Sequence, residues 1–233
     1  MKSVFITGTD TGVGKTTVST LLVEALRFAG KSVGVMKPYA SGGWEDADAL
    51  IRAAGGGASR AEVTPVFFRK PLAPGVRDLS GRIDGAAEFR RIRKTYESLK
   101  RKFDVVVVEG IGGALTPLAG TRTVADLVAE LRLPVWVVAR PSLGTLNHTL
   151  LTVEALRRRR VAVQKIVVSG AKGGDEAERT NPLLLSRLTG LPVELLPKIR
   201  NAAHRRRLAS RWGARWFGSS PSPGGFRKLL PKK

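Results

Sequence analysis

The sequence predicts an α/β chain with a mostly parallel central sheet covered by helices on both faces. Two observations lead there. Short runs of apolar, β-branched residues alternate with segments of helical periodicity along most of the chain, and continuous apolar strands separated by helices are the mark of a parallel sheet buried on both sides. The first such strand runs into a glycine-rich loop and then a helix, the order required of a phosphate-binding loop.

The elements follow in order. "SVFIT" (3–7) reads as a strand, and residues Lys15 to Ala29 read as a helix with Gly30 as its C-cap. "SVGVM" (32–36) is the next strand, and "DADALIRAA" (46–54) is a short helix stopped by Gly55-Gly56-Gly57. Residues 59–84, rich in Pro, Gly and charge, read as loop with at most a short strand, and 86–102 as a helix with a basic outer face. "DVVVVEG" (104–110) is the clearest buried strand. Helix, strand, helix and strand then alternate at 123–132, 134–139, 146–158 and 161–169, followed by a helix at 181–190 and a last strand at 192–197. "HRRRLASRWGARWF" (204–217) has the pattern of a basic amphipathic helix, and "GSSPSPGG" reads as a flexible linker before a mobile end. The chain is therefore divided into a single catalytic domain at 1–200 and a basic, partly flexible extension at 201–233.

Composition narrows the chemistry. There is no cysteine, which excludes disulfides and thiolate metal sites, and two histidines far apart make a poor zinc centre. No signal-peptide layout and no apolar run near 20 residues is present, so a cytoplasmic protein without a membrane partner is expected. Forty basic residues against 19 acidic give a net charge of +21, and eleven of the basic residues lie from Lys198 onward, where there is no acid. Such a surface attracts polyanions non-specifically. No nucleic-acid recognition module accompanies it, and no specific nucleic-acid partner is expected.

"GTDTGVGKTT" (8–17) carries the chemistry. The usual loop is G-x-x-x-x-G-K-[ST]; here Gly8 stands one residue further back. Gly12 and Gly14 allow positive φ, the backbone N–H groups of Gly12, Val13 and Gly14 and the following helix N-terminus offer donors to phosphate oxygens, and Thr17 continues that helix. Lys15 would reach the β- and γ-phosphates and Thr16 would hold Mg²⁺. Lys37 follows the second strand, at the sheet edge where open α/β sheets bind ligands, and could neutralise a transferring phosphoryl group. Glu109 ends a central strand across from the loop, and Asp48 opens a helix; with Thr16 they meet the need of Mg²⁺ for one or two carboxylates. A helix N-terminal charge is the competing reading of Asp48, and Asp46 is its rival at the metal. Gly112 and Gly113 let backbone approach a ligand, with Thr116 a polar contact beyond them. Gly144, Thr145 and Asn147, after Leu143, open a helix whose positive end suits a carboxylate, or is simply capped.

The loop resembles the modified phosphate loop of dethiobiotin synthetases, and "KPYASG" (37–42), "DADAL" (46–50), "VEGIGG" (108–113), "TPL" (116–118), "ADLV" (125–128) and "LGTLNHTLLT" (143–152) resemble motifs of that family in the same order. The likeness covers about residues 2–170. It implies a P-loop NTPase-like fold, ATP and Mg²⁺ as cofactors, and closure of a ureido ring on 7,8-diaminononanoate with CO₂ or bicarbonate. It makes Lys37 a residue contacting carbamate and γ-phosphate, with Ser41 holding the same group and Thr11 and Lys15 beside it. It makes Glu109, Gly112 and Gly113 nucleotide contacts, Thr116 a substrate contact, and Leu143, Gly144, Thr145 and Asn147 the seat of the substrate carboxylate across a homodimer interface. The sequence departs from the family pattern at Gly12, where glutamate is common, at Gly75, where histidine is common, and at Ser169, where asparagine commonly reads adenine. The rival reading is a partitioning or positioning ATPase whose basic tail binds membrane or nucleic acid; its signature lysine early in the loop is replaced here by Asp10.

Overall fold

Short apolar runs, four of them rich in valine, drive the architecture. In the computed structural model, which describes residues 3–79, 81, 83–173 and 176–217, they become the centre of a six-stranded sheet in which all neighbours are parallel. In chain order the elements are β1 (Val4–Gly8), α1 (Lys15–Phe28), β2 (Val33–Met36), β3 (Tyr39–Ser41), α2 (Glu45–Ala53), α3 (Arg60–Val63), β4 (Val66–Phe68), a 3₁₀ turn at Pro74–Asp78, α4 (Gly85–Lys102), β5 (Val105–Glu109), β6 (Pro117–Ala119), β7 (Arg122–Thr123), α5 (Val124–Leu131), β8 (Val135–Ala139), α6 (Thr145–Arg158), β9 (Val163–Ala171), α7 (Glu176–Thr189), β10 (Val193–Pro197) and α8 (Ala202–Phe217).

The order across the sheet is β10-β9-β8-β1-β5-β2. From β1 the chain passes over β5 to reach β2; from β5 it passes back over β1 to reach β8. Right-handed crossovers in opposite directions put their helices on opposite faces. Accordingly α1 and α2 pack with Val4, Ile6, Val105 and Val107, whereas α4, α5 and α6 pack with Phe5, Val106 and Val108. The alternation along β1 and β5 is the period-two pattern of a strand buried on both sides. At the carboxyl ends of β1 and β5 the two connections diverge and leave a crevice, the usual ligand position in such sheets.

Two features were not legible as elements. The segment 59–84 does contain a short strand, β4, but it pairs in parallel with β3, a three-residue strand at Tyr39–Ser41. Between them Ser59 and Glu62 close a capping box on α3. Helix α7 begins five residues before the expected start and carries Pro182 inside it.

The basic tail begins with α8, which lies on α1 rather than apart from the domain. Leu208, Ala209 and Trp212 are buried in the layer that holds α1. Gly213 lets the helices approach closely, since a Cβ there would lie 2.9 Å from Ala25 O. Arg205 Nε donates to both carboxylate oxygens of Glu24 at 2.8 and 2.9 Å. The "GSSPSPGG" segment and the residues after it lie outside the described residues. Among the described residues no helix is long and apolar enough to cross a membrane.

Candidate active site

The phosphate loop fills the crevice. Gly12 and Gly14 take φ of 73° and 96°, in the left-handed region, and Gly14 is the N-cap of α1. Their reasons differ. A Cβ on Gly12 would meet nothing within 4 Å, whereas one on Gly14 would lie 2.6 Å from Ser169 Oγ on β9. Val13 is buried against Gly8, fixing the base of the loop. No side chain caps α1, so its first N–H groups remain for a ligand.

Two lysines and two carboxylates converge there. Lys15 Nζ donates to Asp10 O at 2.9 Å and Gly112 O at 2.8 Å. Burial, and the Lys37 ammonium beyond it, lower its pKa to about 8, against the opposing pull of Glu109, Asp46 and Asp10. Lys37, only 2% exposed, donates to Asp46 Oδ2 and Glu109 Oε1, both at 2.7 Å, and to Gly110 O at 3.1 Å. Burial alone would lower Lys37; Glu109 and Asp46 outweigh it and hold the ammonium above the ordinary lysine value. In return burial would raise Asp46, but Lys37 and the Thr16 hydrogen bond keep it below the usual carboxylate range. Thr16 Oγ1 sits 2.8 Å from Asp46 Oδ1 and 2.9 Å from Glu109 Oε1, so its one proton serves either carboxylate.

The structure separates the two acids that the sequence offered for the metal. Asp48 points away and makes a two-pronged ion pair with Arg60 at 2.7 and 2.8 Å; Asp46 reaches the cluster instead. On a helix of 3.6 residues per turn, two positions of separation turn a side chain by about 200°, so only one of the two can face the crevice. Strands β3 and β4 were missed as a pair by sequence reasoning; Trp44, the N-cap of α2, stacks on Phe67 of β4 with ring centroids 3.8 Å apart, which anchors the start of the helix that carries both acids.

A cleft of about 640 Å³ opens over this cluster. Thr11, Gly12, Gly14, Lys15, Thr16, Thr17, Lys37, Ser41, Asp46, Gly112 and Thr116 all line it. Gly113 N–H donates to Thr116 Oγ1 at 2.8 Å, which leaves that hydroxyl its own proton to give. Glu45, Leu72 and Ile111 also line the cleft and were not singled out from sequence; Glu45 carried a signal, as the acid beside Asp46. Gly75 is held by packing, since a Cβ there would lie 2.8 Å from Pro117 Cβ.

Leu143, Gly144, Thr145 and Asn147 do not line this cleft. They form the open start of α6, with Gly144 at φ 88° and no side-chain cap. Leu143 is 92% exposed, yet Thr145 Oγ1 is buried without a hydrogen-bond partner. Asp10, in the loop, pairs with Arg140 at 2.9 Å, tying the phosphate loop to the segment that leads into α6.

The donors suit a hard divalent cation. Among the described residues no group of three or more His, Cys, Asp or Glu gathers as a metal site, but magnesium needs only one or two carboxylates beside waters and phosphates. Thr16, Asp46 and Glu109 supply oxygen alone, and Glu109 Oε2 is buried with no hydrogen-bond partner. An orphaned carboxylate oxygen is costly unless something positive completes it, so the residues fit the ion.

Comparison with known proteins agrees with this geometry. A family model described as an AAA domain matches residues 2–204. The ATP-dependent dethiobiotin synthetase BioD of Endomicrobium trichonymphae is 43% identical, the match covering 82% of this chain and 90% of that one. The protein of the same name from Anaeromyxobacter dehalogenans (strain 2CP-C) is 42% identical over 89% of this chain and 95% of its own. Among solved structures, the MinC:MinD cell division protein complex of Aquifex aeolicus gives a TM-score of 0.60 at 16% identity, covering 95% of this chain and 98% of that one, a likeness of fold. Helices on both faces of a parallel sheet, a phosphate loop at its switch point and relatives matched over nearly their whole length have one consequence: the chain belongs to the ATP-dependent dethiobiotin synthetase family.

Proposed function

We propose that the chain closes the ureido ring of dethiobiotin from 7,8-diaminononanoate, CO₂ and ATP. One amine of the substrate adds to CO₂ and loses a proton, giving a carbamate. A carbamate oxygen attacks the γ-phosphorus and ADP leaves. The second amine attacks the carbamoyl carbon, loses a proton, and expels phosphate. The observation that carries the reading is Lys37, a buried ammonium held 2.7 Å from each of two carboxylates in the cleft of the phosphate loop.

No protein nucleophile takes part, so the chain's work is positioning and charge stabilisation. With nucleotide bound, Lys15 exchanges the carbonyls of Asp10 and Gly112 for phosphate oxygens. Lys37 lies between the γ-phosphate and the carbamate, where negative charge grows in transfer. Ser41, Thr11 and Thr116 hold the carbamate end by hydrogen bonds from the cleft wall. Thr16, Asp46 and Glu109 would hold magnesium, which when bound neutralises charge on the phosphates.

The substrate carboxylate is assigned to the start of α6 in a homodimer. Two features support this: the unpartnered buried hydroxyl of Thr145, and two exposed leucines, Leu143 just before the helix and Leu151 on it. The test is phosphate release from Mg-ATP with and without the diamine and bicarbonate, for the full chain and for Lys37→Ala. Release that needs both co-substrates and is lost in Lys37→Ala is expected; release indifferent to the diamine overturns the proposal.

A further inference from the structure

The wall of the cleft that carries Ser41 has little backbone support of its own. Strand β3 lies outside the main sheet and, among the described strands, pairs only with β4, over three residues. Two strands alone make a marginal unit in water. The segment after β4, whose Pro71, Leu72 and Ala73 also line the cleft, is irregular up to the 3₁₀ turn at Pro74–Asp78.

One carboxylate ties these pieces together. Glu88 stands in the first turn of α4, a helix fixed by Phe89, Ile92 and Tyr96 in the core that also holds Val106 and Val108. Its Oε2 accepts the Tyr39 hydroxyl of β3 at 2.8 Å, and Arg77 Nη2 lies 3.1 Å from both its oxygens. Arg77 in turn donates through Nε to Pro74 O at 3.1 Å and lies over Phe68 of β4, 4.8 Å from the ring centre. Tyr39 is 1% exposed; burial and the Glu88 carboxylate push its phenol up, so it stays a donor. Asp78 fastens the far end of the turn, its two oxygens accepting Ile83 N–H and Gly120 N–H, both at 2.8 Å.

We infer that Glu88 is a positioning residue for the diamine and its carbamate: it braces Tyr39 and Arg77 so that Ser41 and the segment 71–73 keep one geometry across the cleft from the phosphate loop. The inference rests on the reading of this cleft as the seat of the carbamate. Glu88 does not line the cleft, so it acts through the residues it holds. A shift of about 1 Å in a positioned group is enough to cost much of its effect. The phosphate loop is built on β1 and α1 and shares none of these bonds, so the nucleotide's seat is independent of the brace.

The experiment joins two measurements on the full chain, for the parent, Glu88→Ala and Glu88→Gln. The first is amide hydrogen exchange read by mass spectrometry. Exchange should quicken at 39–41 and 71–78 in Glu88→Ala and stay at the parent rate at 12–17. The second is dethiobiotin formation with the diamine and Mg-ATP varied in turn. The KM for the diamine should rise severalfold in Glu88→Ala while the KM for Mg-ATP holds, and Glu88→Gln, which keeps an acceptor for Tyr39, should recover part of the loss. Exchange unmoved at both segments, a diamine KM unmoved, or the two KM values rising together overturns the inference. If Glu88→Ala does not fold, Tyr39→Phe and Arg77→Met each remove one arm and are judged by the same outcomes. A parent chain that makes no dethiobiotin sinks the proposed reaction and the positioning role with it, and quickened exchange would then leave a brace of structure alone; a parent that makes dethiobiotin beside an unmoved Glu88→Ala sinks the brace and leaves the reaction standing.

Discussion

Lys37 holds Asp46 and Glu109 together, and its removal should therefore cost stability. Glu109 is fully buried and Lys37 nearly so, and they meet at 2.7 Å. Breaking a buried pair by removing one partner leaves a charge with neither solvent nor counterion and costs about 3–5 kcal/mol. Against a total of about 5–15 kcal/mol for a domain, that is a large fraction. Asp46 contributes less, because its side chain is half exposed and screened. The perturbation is Lys37→Met, which keeps the volume of the stem and removes the ammonium. Urea unfolding of the nucleotide-free protein should show the full loss. Lys37→Met/Glu109→Gln should recover most of it, because the stranded charge is gone, while catalysis stays absent. A loss below about 1 kcal/mol, or a double variant as unstable as the sum of its parts, would refute the claim that this pair is a buried, mutually dependent unit.

Three further outcomes are expected. Lys15, lowered to about 8, must carry its proton to bind phosphate; nucleotide affinity should hold below that pH and fall as pH rises through it, with proton uptake on binding measurable by calorimetry in buffers of different ionisation heat. Asp46→Asn should lower kcat/KM by a factor of ten or more, by analogy with the loss of one stabilising contact to developing charge, whereas Asp48→Asn should leave turnover near the parent value; steady-state kinetics of the pair checks the assignment. Trp212→Ala should cost about 3–5 kcal/mol in urea unfolding, because Trp212 is buried between α8 and the sheet layer of α1; a cost near zero would show that α8 is dispensable.

Much of this site was readable in the residues, and the parts that were not share a cause. The glycines of the loop, Lys15, Thr16 and Glu109 are fixed by a strand end or a helix start that the apolar pattern marks clearly. Asp46 was not separable from Asp48, because a helix boundary is uncertain by a residue or two and each residue turns the side chain by about 100°. The start of α2 is anchored by Trp44 stacking on Phe67 of β4, and the three-residue pairing of β3 with β4 is too short to leave a period in the sequence. The tail read as a basic extension because eleven cations and no acid lie from Lys198 onward. Its attachment rests on Leu208, Ala209 and Trp212, spaced along one side of a helix. The start of α6 reads in sequence as an anion site or a plain cap, but its place outside the cleft was not legible, since that depends on the order β8-β1-β5 across the sheet.

The most direct test of the central claim follows oxygen. With CO₂ and bicarbonate labelled with ¹⁸O, supplied with unlabelled Mg-ATP and 7,8-diaminononanoate, the account predicts one labelled oxygen in the released phosphate and one in the ureido carbonyl of dethiobiotin, read by mass spectrometry. Labelled phosphate requires that an oxygen brought in by CO₂ or bicarbonate attacked the γ-phosphorus, as the carbamate does in this account. Phosphate released without label, or release without product, would contradict the account and leave a chain that hydrolyses nucleotide for some other purpose.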